Sequence, residues 1–202
     1  MSEEKKSLID EINQLIPQNI KIEKLEFEGP DIVIYVDNVA EIYKNPDIIK
    51  RMSAEIKKKI IARNISEKLM DEEEAKNIIK SIIPKEAGVE DNDIRFFKEF
   101  NEVKIYAYKP GLVIGKKGSN LLEIIEKTGW LPRVIRKPSI ESDIMNGIRD
   151  MYYKEQAQRK KFLLEIGKLI NKPILKSEFV KVTALGGFRE VGRSSLLIET
   201  NH

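Results

Sequence analysis

The sequence predicts an α+β chain: two copies of one small unit, then a long helix, then a short β-hairpin. Three observations predict it. The order helix, strand, strand, helix, turn, helix, strand can be read twice between residues 1 and 138. A charged stretch of helical periodicity follows, and a β-rich segment with a glycine-rich turn ends the chain. Each assignment rests on the spacing of apolar residues and on the Gly and Pro signals that interrupt it.

In the first copy, Leu8, Ile9, Ile12, Leu15 and Ile16 form a helical stripe that stops at Pro17. Strands are expected at Ile20 to Phe27 and Ile32 to Val36, joined by a Gly29-Pro30 turn. A short helix near Val39 to Tyr43, a longer one from Asp47 to Lys59 and a strand at Ile60 to Arg63 complete the unit. In the second copy, Asp71 can cap a helix, with Glu74 three residues on as in a capping box. Ala75, Ile78, Ile79, Ile82 and Ile83 give the stripe, which ends at Pro84. Strands follow at Ile94 to Phe97 and Val103 to Tyr108, with a polar turn near Glu99 to Glu102. Pro110 opens a short helix to Ile114, a second helix ends at Gly129, and Leu131 to Arg136 form the last strand. Trp130 reads as a packing residue at the helix–strand junction.

The two copies differ in the turn between their paired helices. The second has Gly115-Lys116-Lys117-Gly118, and the first has Lys44-Asn45-Pro46-Asp47. Glycine at both ends lets the backbone turn sharply and approach a ligand closely, because no Cβ intervenes. The helix that follows begins with unpartnered N–H groups and the positive end of its dipole, an arrangement that favours anions. The two lysines add point charges there, so the turn is built to face phosphate. The first copy keeps the scaffold without this clamp.

Charge supports the same place. Residues 104–137 hold eight Lys or Arg against two acids, whereas the whole chain carries a formal charge of only +3. A positive patch centred on the turn suits phosphates. With no cysteine, the chain has neither a disulfide scaffold nor a thiolate metal site, and it fits a reducing, cytoplasmic setting. The single histidine, His202, excludes a histidine cluster for zinc within these residues. No apolar run approaches a membrane span, and the charged start lacks a signal-peptide core.

Glu141 to Asn171 reads as one long helix capped by Ser139 or Ser142. Its middle, Lys154 to Lys161, is polar nearly all round, which predicts a solvated spacer between domains. The tail from Glu178 to Thr200 reads as two strands around a glycine-rich turn, too apolar to stand alone in water. A sheet is expected to continue beyond it, so the segment reads as truncated.

The unit order, with G-x-x-G between two helices, resembles the KH fold in its prokaryotic (type II) arrangement. In KH domains the sheet and helix pair form a groove for about four single-stranded nucleotides. The resemblance implies backbone contacts from Gly115, Lys116, Lys117 and Gly118. It implies a base groove lined by Leu112, Val113, Ile114, Leu121, Val134 and Ile135, with Arg133 and Arg136 flanking it. Two lysines between the glycines strengthen backbone attraction without adding sequence preference. The tail V-T-A-L-G-G-F-R-E-V-G-R-S-S-L-L-I-E-T resembles the opening hairpin of the metallo-β-lactamase domain in β-CASP ribonucleases. Together the parts resemble the N-terminal tandem-KH fragment of archaeal homologues of the cleavage and polyadenylation specificity factor nuclease.

That resemblance implies a degenerate KH-like domain at 1–66, a G-x-x-G KH domain at 67–138, a linker helix at 139–176 and the start of a metallo-β-lactamase domain at 177–202. It implies single-stranded RNA as partner, RNA polymerase or other transcription factors as further partners, and a homodimeric full-length protein. Zinc, and endoribonuclease chemistry at RNA 3′ ends, would belong to the nuclease domain downstream. These residues hold no catalytic or metal site for it. The competing expectation is a protein-interaction scaffold whose RNA binding is incidental, and the clamp-less first unit favours that role for half of the molecule.

Overall fold

The computed structural model describes residues 12–16, 20–140, 142–171, 180–187 and 195–200. Residues 12–15 are helical, Ile12, Ile16 and Ile20 are buried in the first core, and Leu15 packs against it; Leu8 and Ile9 of the predicted stripe lie outside the described residues. The strands β1 (Ile22–Glu28) and β2 (Asp31–Val36) pair antiparallel, and β3 (Ile60–Asn64) adds parallel to β2. Between them lie α1 (Val39–Lys44) and α2 (Pro46–Ile56), the latter with proline in its first turn, where a missing N–H costs nothing. Every residue of β3 is buried, which is how a strand covered on both faces behaves.

The second unit repeats the design. Helix α3 (Glu72–Ile82) is capped by Asp71, whose Oδ2 accepts from the Glu73 N–H at 3.0 Å. The capping box expected there is found instead at Glu90 and Asp93, on the short turn before the next strand. Strands β4 (Ile94–Phe97) and β5 (Glu102–Ala107) pair antiparallel, and β6 (Leu131–Arg136) adds parallel to β5. Helices α4 (Pro110–Ile114) and α5 (Ser119–Thr128) flank the G-x-x-G turn. Trp130 is buried, its ring edge-on to Phe96 at 4.9 Å and its indole N–H donated to the Met70 carbonyl at 2.9 Å, so it packs.

Each unit has its own core, and the two are joined across an apolar junction. Ile125 of α5 and Leu131 of β6 are buried among the apolar residues of the first unit. The Asn64 side chain joins them by accepting from the Val39 N–H (2.8 Å) and donating to the Gly129 carbonyl (2.9 Å). Asn101 donates to the Asn64 carbonyl at 2.8 Å. Lys44, where the first unit's turn begins, forms an ion pair with Glu126 of α5 at 2.7 Å.

The predicted single solvated helix is corrected in two ways. It is two helices, α6 (Asp143–Lys154, capped by Ser142) and α7 (Gln156–Ile170), broken at Glu155. Nor is its polar middle a free spacer. Helix α6 lies on the second sheet, with Tyr153 edge-on to Phe97 at 5.5 Å and Asp150 paired to Arg95 at 2.5 Å. Helix α7 lies on β1: Gly167 abuts the Phe27 carbonyl, and the Gly29 N–H donates to the Leu163 carbonyl at 2.8 Å. Lys160, read as part of a solvated run, is buried. It contacts Glu26 (2.8 Å), Glu28 and the Tyr35 hydroxyl (2.7 Å). Arg63 of β3 adjoins this cluster, forking onto Glu28 (2.5 and 3.1 Å) and reaching Glu102 of β5 at 2.8 Å. One network of five charges and a phenol thus joins both sheets and α7.

Residues up to 170 form one compact unit and residues 171–202 a second. The second contains β7 (Val180–Gly186) and β8 (Ser195–Thr200), an antiparallel pair in register Val180 to Thr200, as the tail's pattern predicts. The Phe188 to Ser194 part of its expected turn lies outside the described residues.

Removing one partner from a buried ion cluster leaves uncompensated charge. Arg63→Met is therefore expected to destabilise the chain by about 3–5 kcal/mol in denaturant unfolding, far more than removal of an exposed pair such as Lys50–Asp47. Acid should act through Glu26. Burial alone would raise its carboxyl, but hydrogen bonds from Lys160 and Lys24 outweigh burial and hold it down, from about 4.5 to about 2. A depressed carboxylate stabilises fully above its unfolded value and stops doing so as pH falls through its folded one. The thermal-stability gap between the parent chain and Glu26→Gln should be constant above about pH 4.5 and close as pH approaches about 2.

Candidate nucleic-acid interface

The G-x-x-G turn is shaped by its sequence. Gly115 ends α4 at φ 76° and ψ 175°, a region open essentially to glycine alone. Its N–H donates to the Gly111 carbonyl at 3.0 Å, and a Cβ there would lie 2.6 Å from the Asn120 side-chain amide and 2.8 Å from Ser119 Oγ. Asn120 holds the turn shut by donating to the Leu112 carbonyl at 3.0 Å. Gly118 sits left-handed (φ 82°) just before α5, and no side chain caps that helix. Lys117 is also left-handed (φ 55°), strained for a residue with a Cβ.

Strain held in an exposed turn is a mark of function. Lys116 and Lys117 are exposed, and among the described residues neither has a carboxylate partner. Two free ammonium groups therefore stand beside the uncapped start of α5. Leu112 and Ile114, each more than a third exposed, form an apolar margin on the same short helix, and Leu121 is half-buried on α5. A cationic turn beside a shallow apolar face can hold a phosphate backbone and let bases lie on carbon.

The expected groove residues are not all gathered there. Val113 is fully buried in the second unit's core, so it supports the turn from beneath and offers no surface. The expected run Arg133-Val134-Ile135 is divided by the strand's alternation. Val134, in register with Ile105, packs on the core beneath α4 and α5. Arg133, in register with Lys104, points to the other face and binds Glu102 at 3.3 Å. Alternation sends Ile135 to that opposite face and Arg136 to the side of the turn. The site that remains is Gly115, Lys116, Lys117, Gly118, Leu112, Ile114, Leu121 and Arg136, with Val113 and Val134 supporting it from beneath.

Arg63, Lys160, Glu26, Glu28 and Glu102 were not legible as a cluster in the sequence. Only Glu26 and Glu28, two apart on one strand, hinted at a shared charged face. No group of His, Cys, Asp and Glu among the described residues is placed to hold a metal, and no described helix is long and apolar enough to cross a membrane.

Two small sheets, each backed by helices, with a clamp turn on one of them, define a tandem KH arrangement. Family models agree: residues 2–69 match one described as "Transcription termination factor FttA, KH domain", and residues 74–145 match the KH domain. The chain is 45% identical over 191 residues to the transcription termination factor FttA of Pyrococcus horikoshii, covering 94% of this chain and 29% of that protein. It is 42% identical over 197 residues to its namesake in Thermococcus kodakarensis (97% and 30% covered). It is also 42% identical over 200 residues to that of a Lokiarchaeum species (98% and 31% covered). The chain thus spans about three-tenths of the length of these relatives.

The turn's own geometry makes a prediction that needs no ligand. Gly115→Ala meets both a glycine-only conformation and Asn120, and should lower stability by about 1–3 kcal/mol. Gly118→Ala, with open space around the new methyl, should cost about 1 kcal/mol. Thermal unfolding of the two variants checks the order; equal destabilisation would contradict it.

Proposed function

We propose that this chain binds single-stranded RNA through the G-x-x-G face of its second KH domain, with the first domain serving as a mount. The observation that carries this reading is the unpaired Lys116-Lys117 turn, held in a left-handed conformation at the start of α5 and bordered by exposed Leu112 and Ile114. The mount follows from the junction. In the first domain the corresponding turn is Lys44-Asn45-Pro46-Asp47, and Lys44 is engaged with Glu126 on the back of the clamp helix.

The relatives named as transcription termination factors support a wider reading for the longer protein. The tandem domains would present RNA 3′ regions to a zinc-dependent β-CASP endoribonuclease domain, in a cytoplasmic, homodimeric factor working with RNA polymerase. A scaffold role is the second reading. The apolar stripe left exposed on α6, Ile144, Ile148 and Met151, favours it.

Fluorescence anisotropy with short labelled RNAs, across a salt series, tests the first reading. Lys116→Asp/Lys117→Asp should abolish most binding and flatten the salt slope by about 0.7 for each phosphate that is no longer neutralised. Equal binding by the parent chain and this variant would make the turn structural and put the scaffold reading first.

A further inference from the structure

Strand β6 is an edge strand, paired among the described residues with β5 alone. Over that edge lies a second feature, which the clamp does not use. An open cleft of about 470 Å³ lies between β3, β6 and α7. Arg133 and Lys104 stand side by side in register on its floor, and Arg159 reaches it from α7.

These cations are short of carboxylates. Glu102 accepts from Arg63 at 2.8 Å and from Arg133 at 3.3 Å through the same oxygen. Glu28 is taken by Arg63 and Lys160, and Asp31 by Lys59 at 2.6 Å. Among the described residues neither Lys104 nor Arg159 has a carboxylate within ion-pair distance. Lys104 rests instead on the Phe97 ring at 3.9 Å, and Arg159 lies over Tyr152 at 5.1 Å and Phe100 at 5.7 Å. Burial chiefly, and the nearby Arg159 second, push the Lys104 ammonium below its ordinary value. Like charges gathered in a half-buried cleft repel one another unless an anion joins them.

We propose that this cleft is a second phosphate site for the strand held by the clamp, so that RNA crosses the edge of β6 and continues onto Lys104 and Arg159. The proposal rests on the RNA-binding reading above. Arg136 on the clamp side of this edge strand and Arg133 on its cleft side stand three residues apart, so a single RNA strand can contact both. Cations beside aromatic rings in a groove are the usual means of following a single-stranded backbone. The cleft lengthens the footprint beyond the nucleotides of the KH groove itself.

The test compares an RNA of about four nucleotides, the length a KH groove takes, with one about three times longer. Lys104→Gln/Arg159→Gln should bind the short RNA as the parent does. It should bind the long RNA about tenfold more weakly at low salt, with a salt slope smaller by about 1.4 for two phosphates left unneutralised. Arg159→Gln alone, at an exposed helix position that leaves the fold intact, should produce about half of that change in slope. Unchanged affinity and slope for the long RNA in both variants would overturn the proposal. The two readings fail separately. If Lys116→Asp/Lys117→Asp leaves short-RNA binding intact, the clamp reading falls. If that variant's remaining affinity for long RNA then disappears on adding Lys104→Gln/Arg159→Gln, the cleft stands by itself.

Discussion

Arg63 is buried with its guanidinium shared between Glu28 of the first sheet and Glu102 of the second, and the placement of the two sheets relative to each other depends on that sharing. A desolvated guanidinium needs anions at fixed angles, and its planar fork accepts few alternatives. Two carboxylates supply them only when the two sheets keep one relative placement. Their charge exceeds what Arg63 alone balances, and Lys160 of α7 supplies the remainder through Glu28 and Glu26. Opposing charges raise Arg63 further above its ordinary value despite its burial, so it remains a cation. Buried ion networks contribute little net stability compared with apolar packing, but they penalise wrong arrangements heavily. Here the apolar contacts of Ile125 and Leu131 supply adhesion, and the charges fix register.

This constraint explains why a KH-like unit without a clamp is retained beside one that has it. Helix α5, whose start faces the ligand, is held at its far end by Asn64 on the Gly129 carbonyl and along its side by Lys44 on Glu126. The first unit therefore works from behind the turn. A mounted turn is preorganised: the left-handed Lys117 and the glycine-only Gly115 are strains that a loosely held loop would relax. The long helical segment has the same logic. Broken at Glu155, it places α6 against Phe97 and Arg95 of the second sheet and α7 against β1 of the first.

The elements of both units were legible in the sequence, because Pro17, Pro84, Pro110 and the clamp glycines punctuate clear apolar periods. The turn's chemistry was legible too, since G-x-x-G with two lysines states both its backbone freedom and its charge. What the sequence did not disclose depends on long-range pairing. Lys160 sits in a run that is polar on every side, and nothing local distinguishes a lysine facing water from one facing Glu26 and Glu28, which lie far away along the chain. Val113 lies in the same short stretch as Ile114, and only the seating of α4 on the core decides which of them is exposed. Arg133 and Arg136, three apart on a strand, fall on opposite faces once the register with β5 is known.

The two KH units and α7 behave as one body with the clamp at its edge, and unfolding the chain in denaturant with two probes tests this most directly. Trp130, the only tryptophan, sits in the second unit's core, and amide exchange of Val33 to Val36 reports on the first. One cooperative body predicts that both probes change together, with one midpoint and one slope. Loss of protection in the first unit while Trp130 keeps its native emission would show the units to be independent, and would contradict the apolar junction and the buried charge network as what joins them.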